Sequence, residues 1–181
     1  MSKQLAPPWK TTLWLNTPEA LSLEGLRGRV VLVHAFQMLC PGCVSRGLPQ
    51  AQRVAEAFRG APLSVIGLHT VFEHHDAMRE ASLRAFVHEY RIRFPVGIDA
   101  PGEGGETIPQ TMRAYGLQGT PTTLLIDGEG YLREHTFGVH DDLLLGASIQ
   151  RLLHELGDGK AEGGEAAETS PGTCSDESCS P

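Results

Sequence analysis

Val30-Val31-Leu32-Val33-His34-Ala35-Phe36 is an apolar run interrupted by one histidine, and it leads within four residues into Cys40-Pro41-Gly42-Cys43. A short run this rich in β-branched residues predicts a strand buried on both faces. Beyond the cysteines, Val44, Leu48, Ala51, Val54, Ala55 and Phe58 recur at near-helical spacing. They predict a helix over Pro41–Phe58, kinked or offset at Pro49. Leu63–Leu68 then reads as a second buried strand, and the order strand, helix, strand at this spacing is a βαβ unit. The cysteine pair therefore falls at the turn where a buried strand hands over to a helix.

That position has chemical consequences. At a helix amino end, unpaired backbone N–H groups and the helix dipole favour negative charge, so Cys40 is the expected nucleophile. Cys43, nearly one turn further on, is close enough to close an intramolecular disulfide and release a bound partner. Pro41 falls where its missing N–H costs nothing, and Gly42 is expected to leave room for a substrate backbone. A zinc half-site, a permanent disulfide and a chance pair are the plain alternatives. Zinc usually takes four ligands, and no second close pair exists in the body of the chain. A permanent disulfide fits a secreted protein, and nothing marks this chain as secreted.

The 181 residues, 40% of them hydrophobic, suffice for one well-buried core. Of the net charge of −7, the segment 157–181 accounts for −5, because Asp158, Glu162, Glu165, Glu168, Asp176 and Glu177 face only Lys160. The remaining body is near neutral, with no basic stripe to suggest nucleic acid. We therefore expect one domain over residues 1–156 and an acidic, flexible tail over 157–181 that carries Cys174 and Cys179. No segment has signal-peptide or membrane-span length, so a cytoplasmic protein is expected, an exported form without its leader remaining compatible.

Further along, Leu13-Trp14-Leu15 is a short apolar segment, and Met78–Tyr90 is amphipathic with Leu83, Phe86, Val87 and Tyr90 on one face. Phe94–Asp99 follows as a short strand, so the block after the βαβ unit reads as an insertion of one helix and one strand. Pro109–Tyr115 predicts a brief helix ending at Gly116. Thr122–Ile126 and Tyr131–Phe137 predict two strands joined by the turn Asp127-Gly128-Glu129-Gly130. Asp141–Leu156 predicts a closing helix capped by Asp141.

With these elements in place, the chain resembles the thioredoxin-fold redoxins, closest to the TlpA/ResA-like branch of the AhpC/TSA-redoxin superfamily. The resemblance rests on the strand running into Cys40-Pro41-Gly42-Cys43, the inserted β/α segment, and Gly119-Thr120-Pro121-Thr122 before the hairpin. It covers residues 20–156. It implies an α/β, thioredoxin-like fold: a central mixed β-sheet flanked by helices, with a β/α insertion between the βαβ half and a cis-Pro hairpin half. It implies a thiol–disulfide oxidoreductase that uses Cys40 and Cys43, with Pro121 cis and facing them and Thr120 beside it as a substrate-backbone clamp. His34 stands where relatives place a buried acid or amide, which implies either a proton partner for Cys43 or a hydrogen-bonded core histidine. Leu39 and Arg46 depart from the pattern, replacing a tryptophan and a glutamate and leaving substrate preference open. No organic cofactor is implied. The expected partners are a protein or small-molecule disulfide and an unidentified reductant such as a thioredoxin-type system, with no nucleic acid and no membrane span.

Two rival readings stay open. A thiol peroxidase of the peroxiredoxin type uses the same fold, but Gln37, not Thr or Ser, stands three residues before Cys40. A thioredoxin-like copper or zinc protein would use His69, Glu73, His74, His75 and Asp76, whose residue types suit metal. Cys174 and Cys179 are a candidate auxiliary dithiol for the Cys40/Cys43 pair, the alternative being incidental thiols on a solvated tail.

Overall fold

The computed structural model describes residues 4–162; the Cys174 and Cys179 expectation and the rest of the tail from residue 163 lie outside them. Seven strands form one mixed sheet: β1 (Gln4–Leu5), β2 (Thr11–Leu15), β3 (Val30–Phe36), β4 (Leu63–His69), β5 (Val96–Asp99), β6 (Thr122–Ile126) and β7 (Tyr131–Phe137). Their order across the sheet is β1-β7-β6-β3-β4-β5-β2. The apolar run Val30–Phe36 thus lies at the centre, parallel to β4 on one side and antiparallel to β6 on the other. Every residue of β3 and of β6 is buried, as an apolar strand between two others requires.

Four helices cover the sheet: α1 (Leu48–Ala57), α2 (Glu80–Glu89), α3 (Gln110–Ala114) and α4 (Asp142–Glu162). Leu48, Ala51 and Val54 of α1, Leu83 and Val87 of α2, and Leu145, Ile149 and Leu152 of α4 pack with Val30, Leu32 and Phe36 on one face. Val31, Val33 and Ala35 point the other way, onto Met112 of α3 and the Leu23 segment. Alternation along one strand therefore feeds two cores. Full burial of each such aliphatic side chain contributes on the order of 2 kcal/mol.

The inserted block is present as α2 and β5, with β5 joining β4 in parallel and taking β2 on its outer edge. Buried Asp99, at the end of β5, accepts the Thr111 and Met112 N–H groups at 2.8 and 3.0 Å and the Thr70 hydroxyl at 2.9 Å. One carboxylate thereby satisfies the amino end of α3, which has no cap of its own.

Three features differ from expectation. The helix after the cysteines opens with a π-helical turn over Cys43–Gly47, in which the Leu48 N–H reaches back to the Cys43 carbonyl. Pro49 has no N–H to offer to the preceding turn, and the widened turn accommodates that loss. Strand β1 pairs with the edge of β7 through two residues only, too few to show a pattern. Helix α4 starts at Asp142 and runs to Glu162, past the expected end at Leu156. Asp141 is its cap, accepting the Leu143 and Leu144 N–H groups, while His154 pairs with Asp158 one turn on and Lys160-Ala161-Glu162 are good helix formers.

Candidate active site

Strand β3 delivers the chain to the carboxyl end of the sheet, where the Cys40 N–H bonds back to the Gln37 carbonyl at 3.2 Å and the helix begins. This tight turn puts Cys40 at the surface and Cys43 beneath it. Cys40 is half-buried, Cys43 is fully buried, and both are free thiols. The Cys40 Sγ accepts the Cys43 N–H at 3.2 Å and donates to the Thr120 carbonyl at 3.5 Å. A sulfur at a helix amino end, taking a backbone N–H, is the arrangement expected from the sequence.

Burial is the largest influence on Cys43, pushing its thiol up to about 12, and its hydrogen bond to Cys40 pushes the same way. The Gln37 backbone and the Thr120 side chain act in the opposite direction, stabilising a thiolate. Two sulfurs in contact thus differ in access: one open to a partner, one held as a thiol.

The Thr120–Pro121 peptide is cis, and Pro121 packs on the cysteine turn. A Cβ placed on Gly42 would meet the Pro121 Cδ at 3.3 Å. The space that Gly42 was expected to leave for a substrate backbone is therefore filled by Pro121, and Gly42 permits that close approach instead. Pro41 is exposed, its carbonyl accepting from the Ser45 hydroxyl at 2.7 Å. The Pro121 carbonyl takes the Gly138 N–H at 2.8 Å, which ties this turn to the end of β7.

His34 lies lower. It is buried, its Nδ1 is 3.5 Å from the Thr123 hydroxyl, and its Nε2 has no protein partner. Burial pulls its pKa down to about 4. A Cβ on Gly47 would stand 2.5 Å from the His34 ring, so the ring fills the space under the π-helical turn. The groups that bear on the Cys43 thiol are Cys40, Gln37 and Thr120, and His34 is not among them. The structure gives His34 a packing place rather than a hydrogen bond to the cysteines.

The histidine-rich segment does not converge. His69 is buried at the end of β4, its ring centroid 5.3 Å from that of Phe36, whereas Glu73, His74, His75 and Asp76 are exposed. Among the described residues no group of three His, Cys, Asp or Glu side chains could hold a metal ion. Neither Gln37 nor Phe137 has a structural role legible in the sequence. Gln37, weighed there only against the peroxidase pattern, is buried behind the cysteine turn with its side chain towards Glu73. Phe137, 53% exposed, lies beside Gly119, and Leu39, 56% exposed, directly precedes Cys40. None of the helices among the described residues is long and apolar enough to cross a membrane.

Comparison with known proteins agrees with this fold. The model of the AhpC/TSA family matches residues 3–135. The crystal structure of the thioredoxin-like superfamily protein SPOA0173 is 52% identical, with a TM-score of 0.80 over 91% of this chain and 99% of that one. A thiol-disulfide isomerase from Corynebacterium glutamicum is 48% identical, with a TM-score of 0.77 over 82% of this chain and 96% of its own. Among curated relatives, the thiol-disulfide oxidoreductase ResA of Halalkalibacterium halodurans is 26% identical over 70% of this chain and 64% of its own length. Protein DipZ of Mycobacterium tuberculosis is 28% identical over 80% of this chain, which spans only 20% of DipZ.

Proposed function

The chain belongs to the AhpC/TSA family, as a thioredoxin-like redoxin of the TlpA/ResA kind, and from that premise we propose that it is a thiol–disulfide oxidoreductase acting through Cys40 and Cys43. The observation that carries the proposal is a half-buried Cys40 sulfur that accepts the Cys43 backbone N–H, with the fully buried Cys43 thiol beneath it. In the reduced protein, the Cys40 thiolate attacks one sulfur of a substrate disulfide. The substrate's other sulfur leaves as a thiolate and takes up a proton.

Cys43 then resolves the mixed disulfide. Its hydrogen bond to Cys40 and the nearby Cys40 charge both raise its pKa in the dithiol. Once Cys40 is bonded to substrate that charge is gone, while the Gln37 and Thr120 bonds that favour the Cys43 thiolate remain. Cys43 loses its proton, attacks the Cys40 sulfur and expels the substrate thiolate. Two electrons and two protons have passed to the substrate, and the Cys40–Cys43 disulfide has formed. Thr120 and Pro121 lie beside Cys40, and the exposed apolar side chains of Leu39 and Phe137 suit a protein segment better than a small charged disulfide. We place this chemistry in the cytoplasm, driven by a thioredoxin-type reductant; cell fractionation tests the location.

The test is a Cys43→Ser variant recovered from its host without reductant. Mixed disulfides to Cys40 are expected, together with insulin reduction by the unsubstituted protein. Absence of both overturns the proposal, and peroxide consumption in their place would assign a peroxidase.

A further inference from the structure

Residues 90–94, between α2 and β5, are held more firmly than a plain connection requires. Gln52 of α1 donates its side-chain amide to the Tyr90 and Arg91 carbonyls at 3.0 and 3.3 Å. Asn16, just past β2, donates to the Ile92 and Phe94 carbonyls at 2.7 and 3.1 Å. Amides from two separate elements thus tie down the backbone of one short loop. Within it Ile92 and Phe94 are buried, whereas Arg91 and Arg93 are exposed. The alternation turns both arginines to the outer side, their Cα atoms at most about 7 Å apart.

Arg91 closes α2 in a left-handed conformation, with φ 52°. Its N–H bonds to the His88 carbonyl and the Ile92 N–H to the Val87 carbonyl, both at 3.0 Å. Glycine is the usual residue at such a position, because a side chain is strained there. An arginine kept in that conformation beside a second arginine points to a use for its charge. The helix dipole favours a cation here, yet Gln52 already serves the Tyr90 and Arg91 carbonyls, so both guanidinium groups keep their donors. Nearby acids have other partners: Glu56 pairs with Arg59, Glu80 with Arg84, and Glu89 lies 3.3 Å from His88 Nδ1. Arg91 and Arg93 have no ion pair or side-chain hydrogen bond among the described residues. Both line two adjoining clefts, of about 430 and 470 Å³.

We propose that Arg91 and Arg93 form a binding site for the phosphate group of a small molecule, separate from the redox centre. Two guanidinium forks on one side of a rigid loop match the oxygens of a phosphate or diphosphate. The clefts have the size of small-molecule sites, and Ala55 and Phe94 give one of them an apolar wall for an organic part. Strand β5 runs parallel to β4, and β4 to β3. The loop that precedes β5 therefore lies at the opposite end of the sheet from Cys40, and a ligand there leaves the thiols open.

The experiment is equilibrium dialysis of the full-length reduced protein against radiolabelled inorganic pyrophosphate at low ionic strength. Saturable binding is expected, weakened about tenfold by Arg91→Gln and about tenfold again when Arg93→Gln is added. Arg91→Gly relieves the left-handed backbone, so it should raise the urea midpoint while weakening binding, which separates loss of the site from loss of the fold. Insulin reduction should be unchanged in these variants. Displacement of pyrophosphate by ADP supports an organic phosphate as the ligand, and retention against ADP supports the free anion. No binding at millimolar pyrophosphate, equal binding by the Arg91→Gln/Arg93→Gln double variant, or equal displacement by succinate would each overturn the site.

Discussion

Replacing Gly47 by alanine tests whether the helix start, the buried histidine and the proline turn are one packed unit. The new methyl group would stand 2.5 Å from His34 Cε1 and Nε2 and 3.2 Å from the Pro121 Cβ. Ordinary contact begins near 3.4 Å, so the ring must retreat by about 1 Å. It has little room, being buried between β3 and the turn with Phe36 stacked beside it at 6.5 Å between centroids. Overpacking of this kind costs roughly 1–3 kcal/mol. Gly47 has ordinary helical angles of −65° and −53°, so alanine there also recovers up to about 1 kcal/mol of helix propensity. The net loss expected is about 1–2 kcal/mol. In a His34→Ala background only the 3.2 Å approach to the Pro121 Cβ remains, and Gly47→Ala should become close to neutral or stabilising by up to about 1 kcal/mol. Urea denaturation of the four reduced proteins gives the coupling as a double-mutant cycle, expected at about 2 kcal/mol. Equal costs in both backgrounds would refute the packing argument.

Three other outcomes follow from the same structure. His34 and His69 are both pulled down from 6.5 to about 4 by burial, so the unfolded chain binds more protons below pH 6.5. Their stabilisation is complete above pH 6.5 and is lost as pH falls towards 4, by about 1.4 kcal/mol per unit for each histidine. Between pH 7 and 5 the protein should lose up to about 4 kcal/mol, and His69→Asn should remove about half of that slope; a flat profile would count against it. Limited iodoacetamide treatment of the reduced protein at pH 8 should label Cys40 and spare Cys43, whose thiol is buried and raised to about 12, and equal labelling would contradict the assignment. Asp99→Ala strands two backbone donors and the Thr70 hydroxyl, so it should cost on the order of 3 kcal/mol, with Asp99→Asn between it and the parent.

The strands with the plainest local patterns were legible to the residue: Val30–Phe36, Thr122–Ile126 and Tyr131–Phe137 have in the structure the bounds their residue types predict. For the first two, burial on both faces leaves an apolar run that ends where the strand ends, and for the third the Asp127–Gly130 turn marks the start. The meeting of Thr120-Pro121 with the cysteine turn came from resemblance, not from periodicity, because the two segments are 80 residues apart and nothing local links them. The π-helical turn escaped notice because Pro49 announces a disruption without saying which backbone bond replaces the lost one. Gln37, Gly47 and His69 were misjudged or missed for a common reason. Their roles depend on which distant segments pack against them, which spacing along the chain does not encode. His69 looked like part of a polar cluster by sequence neighbourhood, yet the end of β4 carries it into the core.

The central claim is that Cys40 and Cys43 together pass two electrons to a disulfide, and single-turnover stoichiometry measures it directly. Reduced protein lacking the tail cysteines (Cys174→Ser, Cys179→Ser) is mixed with an equimolar peptide disulfide, quenched in acid and mapped. One Cys40–Cys43 disulfide should form for each peptide disulfide reduced, with none formed in Cys40→Ser. Peptide reduced without a matching Cys40–Cys43 disulfide, or reduced equally well by Cys40→Ser, would contradict the account.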